Sequence, residues 1–184
     1  MDQHAALPVT AQLNLGPAFA SIAVALLLLG MKAWAVWSTG STAMLGSLAD
    51  TALDLIASLA TLLGVWIAAM PADEDHRFGH GKAEALAAMF QVVLISLSAF
   101  GLAVRAIQQW LAGDRIAEAE QGIAVSAIAM AATLALLAYQ RFVIARTGSV
   151  AIATDHVHYQ SDLLLNLAVI AALALDQYAN VAGA

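Results

Sequence analysis

Residues 46–66 read GSLADTALDLIASLATLLGVW, an apolar run that contains two aspartates. Asp50 and Asp54 are four residues apart, so a helix would place both on one face with Cβ atoms about 5–6 Å apart. The run approaches the ~20 residues that cross a bilayer, and at about 1.5 Å per residue the pair would lie roughly 12–18 Å into a helix beginning near Thr42. A carboxylate at that depth costs about 2.5–3.5 kcal/mol on insertion scales, so the pair indicates a functional site.

The composition of the whole chain is typical of a membrane protein. Of its 184 residues, 62% are hydrophobic and 11% are charged, and the mean hydropathy is +0.82, whereas a soluble domain carries about 25% charged residues. The net charge of −6 provides no basic face for phosphates and argues against nucleic acid as a partner. Because the chain has no cysteine, a metal site must use oxygen and imidazole ligands.

Five hydrophobic segments are separated by turn signals. We expect them to be transmembrane helices of an all-α bundle in the lipid bilayer, because backbone polar groups there need internal partners. Pro71, Gly79 and Gly81 interrupt the chain between the second and third segments. The five segments run approximately over residues 13–37, 42–70, 83–111, 122–144 and 150–178.

The positions of Lys and Arg predict the orientation. Arg77 and Lys82 lie between the second and third segments, and Arg141 and Arg146 lie near the junction of the fourth and fifth. The first junction has no basic residue and the third has Arg115, so the contrast is modest. Because cytoplasmic loops carry the excess of positive charge, we expect the N-terminus in the cytoplasm.

A second polar pair lies in the fifth segment, where His158 and Asp162 repeat the four-residue spacing. The second and fifth helices would run antiparallel, so the two pairs could face each other as three carboxylates and one imidazole. Such donors suit tetrahedral Zn²⁺, with Fe²⁺, Co²⁺, Mn²⁺ and Cd²⁺ accepted to some degree. The ligands must lose protons to bind metal, so metal-for-proton exchange is the expected mechanism. A role in helix packing is the alternative for a single intramembrane aspartate.

Other polar residues in the segments have simpler interpretations. Asp155 is expected to be a solvated interfacial residue or a helix-start acid, with a vestibule carboxylate as the alternative. His156 is interpreted as structural. We expect Lys32 to be buried against a partner or to snorkel, and Gln91 and Gln160 to serve interhelical packing.

Three stretches resemble the signature segments of the cation diffusion facilitator family, most closely its bacterial zinc and ferrous-iron efflux members. The similarity extends to WSTGS at 37–41 and QR at 140–141. The three stretches are SLADTALDLIASL (47–59), PADEDHRFGHGKAEALAA (71–88) and HYQSDLLLN (158–166).

The resemblance implies a proton-coupled exporter in the bacterial inner membrane, with Zn²⁺ preferred and Fe²⁺, Cd²⁺ and Co²⁺ possible. It also implies a homodimer for full-length members, and a salt bridge from Lys82 to a residue near the last transmembrane helix. The transport site that it implies consists of Asp50, Asp54, His158 and Asp162.

A second metal site is implied in the loop before the third segment. By itself, this loop could bind zinc or be a solvated acidic turn. The ligands that the resemblance implies are Asp73, His76 and His80.

The family has six transmembrane helices and a C-terminal ferredoxin-like domain, whereas this sequence stops at Ala184 after the fifth segment. The expected domain is therefore a truncated transmembrane domain over residues 1–184. One alternative function is a membrane metal-binding fragment without transport. Another, a membrane enzyme such as an intramembrane protease, is disfavoured because Asp50 and Asp54 share one helix and nothing marks a nucleophile or a substrate pocket.

Overall fold

The computed structural model is an all-α bundle of five long helices. It describes residues 9–39, 42–112 and 122–182, and the regular structure among them is entirely helical. The helices are α1 (Val9–Thr39), α2 (Thr42–Ala68), α3 (Lys82–Ala112), α4 (Gly122–Thr147) and α5 (Val150–Ala182).

The prediction of a membrane helix bundle is confirmed, with small differences at the helix ends. Helix α1 begins four residues before the predicted residue 13, and α4 continues to Thr147 rather than 144. The third junction, with Arg115, lies outside the described residues. Four helical stretches among the described residues are long and apolar enough to cross a membrane: Gln12–Ser38, Leu45–Ala68, Lys82–Val104 and Ile128–Thr147. The fifth predicted span extends past the described side chains and stays a prediction.

Helix α2 carries the Asp50 and Asp54 pair and is in contact with three other helices. It packs against α1, α3 and α5. Its approach to α3 is close because Gly64 has no side chain: a Cβ there would overlap the methyl group of Ala87 and lie 3.1 Å from the carbonyl oxygen of Ala83. This small-residue contact is typical of membrane helices, where close backbone packing replaces the hydrophobic driving force.

The start of α5 is fixed by a tight junction with α4. Gly148 has a left-handed φ of 65° and its N–H donates to the carbonyl of Ile144 at 2.9 Å, which ends α4. Ser149 then caps α5 by accepting from the N–H of Ile152 at 3.4 Å. The Ser149 hydroxyl donates to Glu84 at 2.8 Å, so the first turn of α5 is tied to the start of α3.

Candidate metal centres

Helices α2 and α5 bring two carboxylates, one from each helix, and one imidazole together inside the bundle. His158 Nε2 lies 3.0 Å from Asp54 Oδ1 and 3.7 Å from Asp162 Oδ2. Each of the three residues offers a ligand atom within 4.8 Å of the other two. His158 is buried, and the two aspartates are partly buried. A single divalent ion could therefore contact all three side chains.

The positions of these three side chains follow from helical spacing and from hydrogen bonds between the helices. His158 and Asp162 are one turn apart on α5, so both point towards α2. One residue along, the buried hydroxyl of Tyr159 donates to the carbonyl of Ser21 at 3.1 Å and lies 3.0 Å from the hydroxyl of Ser58. Because the phenol has one proton, Ser58 is the donor in the second bond. This pair of bonds ties α1, α2 and α5 together beside the candidate ligands.

The fourth predicted ligand, Asp50, lies one turn before Asp54 on α2. It does not belong to the group of three whose ligand atoms lie within 4.8 Å of one another. The structure thus brings three of the four predicted side chains together, and the transport site itself stays a prediction.

The loop after α2 contains a second group of potential ligands. Asp73 Oδ1 lies 3.2 Å from His76 Nδ1, and Asp73 Oδ2 lies 3.4 Å from His80 Nε2. The two imidazole rings are 4.5 Å apart between centroids. Gly79, with a φ of 76°, donates to the carbonyl of His76 at 2.9 Å and turns the chain so that His80 returns to the carboxylate. Ligand atoms of Asp73, His76 and His80 also lie within 4.8 Å of one another.

Hydrogen bonding favours the ionised form of the Asp73 carboxyl. The backbone N–H of His76 donates to Asp73 Oδ1 at 2.6 Å. This bond and the two neighbouring imidazoles hold the pKa of the Asp73 carboxyl below its usual range. An ionised carboxylate with two adjacent imidazoles is a donor set that suits zinc-like ions.

Comparison with known proteins places this arrangement in a family. Residues 18–184 match the family described as cation efflux transmembrane domain. The chain belongs to the cation efflux family. This membership confirms the resemblance to cation diffusion facilitators and identifies the fold as that of a transporter family.

The similar curated proteins are bacterial cation-efflux pumps named FieF. The chain is 48% identical over 159 residues to that of Pectobacterium carotovorum, which covers 86% of this chain and 53% of the relative. It is 45% identical over 161 residues to that of Klebsiella pneumoniae, covering 88% and 54%. It is 43% identical over 171 residues to that of Serratia proteamaculans, covering 93% and 57%. The chain spans about half of the length of these relatives.

A buried polar network in this cation efflux domain was not foreseen from the sequence. Asp155 has 0% exposure, which corrects the expectation of a solvated residue near the membrane surface. It accepts hydrogen bonds from Ser21 Oγ at 2.5 Å, Gln91 Nε2 at 2.8 Å and Gln140 Nε2 at 2.7 Å. These donors come from α1, α3 and α4, so one carboxylate of α5 joins four helices. The predicted packing role of Gln91 agrees with this contact.

The remaining polar residues have defined contacts. His156 Nδ1 lies 3.3 Å from Gln140 Oε1, away from the three-ligand group, as expected for a structural residue. Lys32 on α1 donates to Thr51 Oγ1 at 2.5 Å and to the carbonyl of Ser47 at 3.3 Å. Of the two expectations for Lys32, burial against a partner is the one observed.

Proposed function

We propose that this chain is the transmembrane part of a proton-coupled exporter of divalent metal ions. Zn²⁺ is the proposed preferred substrate, and Fe²⁺, Cd²⁺ and Co²⁺ are further substrates. The observation that carries the proposal is the intramembrane group of Asp54, His158 and Asp162, whose ligand atoms lie within 4.8 Å of one another. Membership of the cation efflux family supports export as the purpose of the site.

The ligand chemistry supports both the choice of metal and the counter-ion. Carboxylate oxygens with one imidazole nitrogen suit Zn²⁺, which prefers four ligands, and Asp50 is the proposed fourth ligand. Adjacent carboxylates without a metal do not all stay ionised, so protons would occupy the site when the ion leaves. Binding from the cytoplasm would release these protons, and protons from the other side would reload the ligands.

The location of the two metal centres gives them different proposed roles. The three-ligand group lies between membrane helices and is the proposed transport site. The loop group lies between α2 and α3, on the side that we propose to be cytoplasmic in a bacterial inner membrane with the N-terminus inside. We propose that Asp73, His76 and His80 hold a second ion there. A homodimer is the proposed assembly.

Zinc flux into proteoliposomes under a pH gradient tests the proposal. We expect flux to require the gradient and to be lost in Asp54→Asn, which keeps the size of the side chain and removes its charge. Glu74→Gln is the matched control, because Glu74 is exposed in the loop and belongs to neither ligand group. Equal flux in Asp54→Asn and in the unmodified chain would contradict the assignment of the site.

A membrane metal-binding protein without transport is the second candidate, because the group of Asp54, His158 and Asp162 would by itself account for binding of an ion. Calorimetric zinc binding, measured beside flux, separates the two. Binding that depends on Asp54 in the absence of gradient-dependent flux would favour the second candidate.

A further inference from the structure

Lys32 places a positive charge beside the carboxylates of the proposed transport site. It lies within the α1 stretch that is apolar enough to cross a membrane, Gln12–Ser38, and its ammonium reaches across to α2. There it bonds to Thr51 Oγ1 and to the carbonyl of Ser47. Thr51 is the residue after Asp50 and is 1% exposed. A lysine in this environment requires compensation for its charge.

The negative charge of the nearby carboxylates of the site compensates the charge of Lys32 without a direct hydrogen bond. Its two bonding partners and Asp54 follow one another on α2 at spacings of four and three residues, so the ammonium lies on the face of α2 that carries Asp54. Its hydrogen-bond acceptors, however, are the neutral oxygens of Thr51 and Ser47. Carboxylate lone pairs therefore stay available to a metal ion while their negative charge is partly balanced. A direct salt bridge would have occupied the same oxygens that a metal needs.

We propose that Lys32 is a tethered counter-ion that sets the metal affinity of the Asp54, His158 and Asp162 group. When no metal is bound, the ammonium offsets the charge of the carboxylates. When a divalent ion enters, the same ammonium repels it, and the site binds less tightly than its ligands alone would allow. A transport site must bind well enough to load and weakly enough to release. This inference rests on the proposed function.

Zinc titration calorimetry of the full chain in detergent at pH 8 tests the role of Lys32. All variants carry His80→Ala, so that the loop group does not contribute. Lys32→Met keeps the length of the side chain and removes its charge, and Lys32→Gln retains a donor towards Thr51. Lys32→Arg retains the charge, and Lys82→Met is the matched control, because Lys82 is exposed at the start of α3.

We expect Lys32→Met and Lys32→Gln to bind Zn²⁺ at least about tenfold more tightly, because a unit charge acts strongly on a divalent ion at low effective dielectric. Lys32→Arg and Lys82→Met should bind as the unmodified chain does. Unchanged or weaker binding in the neutral variants overturns the proposal and assigns Lys32 to joining α1 and α2. The same conclusion follows if both neutral variants fail to fold while Lys32→Arg folds.

The proposed function has its own control in this experiment. Asp54→Asn should abolish zinc binding in the same background. If it does so and the neutral Lys32 variants bind as before, the counter-ion role fails while the transport site stands. If Asp54→Asn binds zinc normally, the site itself is wrong, and the role of Lys32 falls with it.

Discussion

Loss of the buried Asp155 carboxylate should destabilise the bundle, because it joins four helices. Asp155→Ala would remove the acceptor that Ser21, Gln91 and Gln140 share. Each of these side chains keeps a second acceptor, but a buried polar group that loses its partner costs about 1–3 kcal/mol. Membrane helices recover part of this loss, so we expect about 2 kcal/mol of destabilisation in thermal unfolding in detergent. Asp155→Asn should cost less because its amide oxygen still accepts. Gln160→Ala, at an exposed position of the same helix, should have little effect; an equal loss there would contradict this role.

Asp73 gives the loop a pH dependence with a definite sign. Its pKa is lowered, chiefly by the backbone N–H of His76 and then by the neighbouring imidazoles, so its contribution to loop order is complete above the usual aspartate pKa of about 3.9. The contribution is lost as the pH falls through the lower value of the folded chain. We expect the amide ¹⁵N shift of His76 to show an acid transition below about pH 4. In Asp73→Asn this acid transition should be absent, and its persistence would assign it to another group.

The α2–α3 contact is an element-scale feature that one matched pair of substitutions can test. Gly64→Ala would push a methyl group into Ala87 and towards the Ala83 carbonyl, and such overpacking costs about 1–3 kcal/mol. Gly30→Ala in α1 meets no atom within 4 Å and should gain up to about 1 kcal/mol from helix propensity. Opposite shifts of the unfolding temperature are therefore expected. If Gly64→Ala also stabilises, the two helices are not held at this separation.

At the scale of the whole molecule, sequence reasoning succeeded where a spacing determines a face. The four-residue spacing of His158 and Asp162 and the apolar length of the segments were enough to predict helices that bring these residues to Asp54. The environment of Asp155 was not predictable in this way, because its partners Ser21 and Gln91 are 134 and 64 residues away. Its third partner, Gln140, lies on α4, where no pattern sets the rotation of the helix. The same holds for Lys32, whose apolar surroundings predict burial but not which oxygens accept its hydrogen bonds.

The dependence of the proposed site on two separate helices predicts that zinc stabilises the whole chain. A ligand that binds only the folded state contributes RT ln(1 + [L]/Kd), which is about 2.7 kcal/mol at one hundred times Kd. Because α2 supplies Asp54 and α5 supplies His158 and Asp162, the unfolded chain does not present the same site. The unfolding temperature should therefore rise with zinc and fall back when a chelator removes it.

Asp54→Asn should lose most of this rise, while Asp73→Asn should keep most of it because the loop group lies outside the α2–α5 contact. Ca²⁺ at the same concentration should have little effect, since it prefers six to eight oxygen ligands. A zinc effect that is equal in Asp54→Asn would place the stabilising ion elsewhere and separate metal binding from the α2–α5 contact.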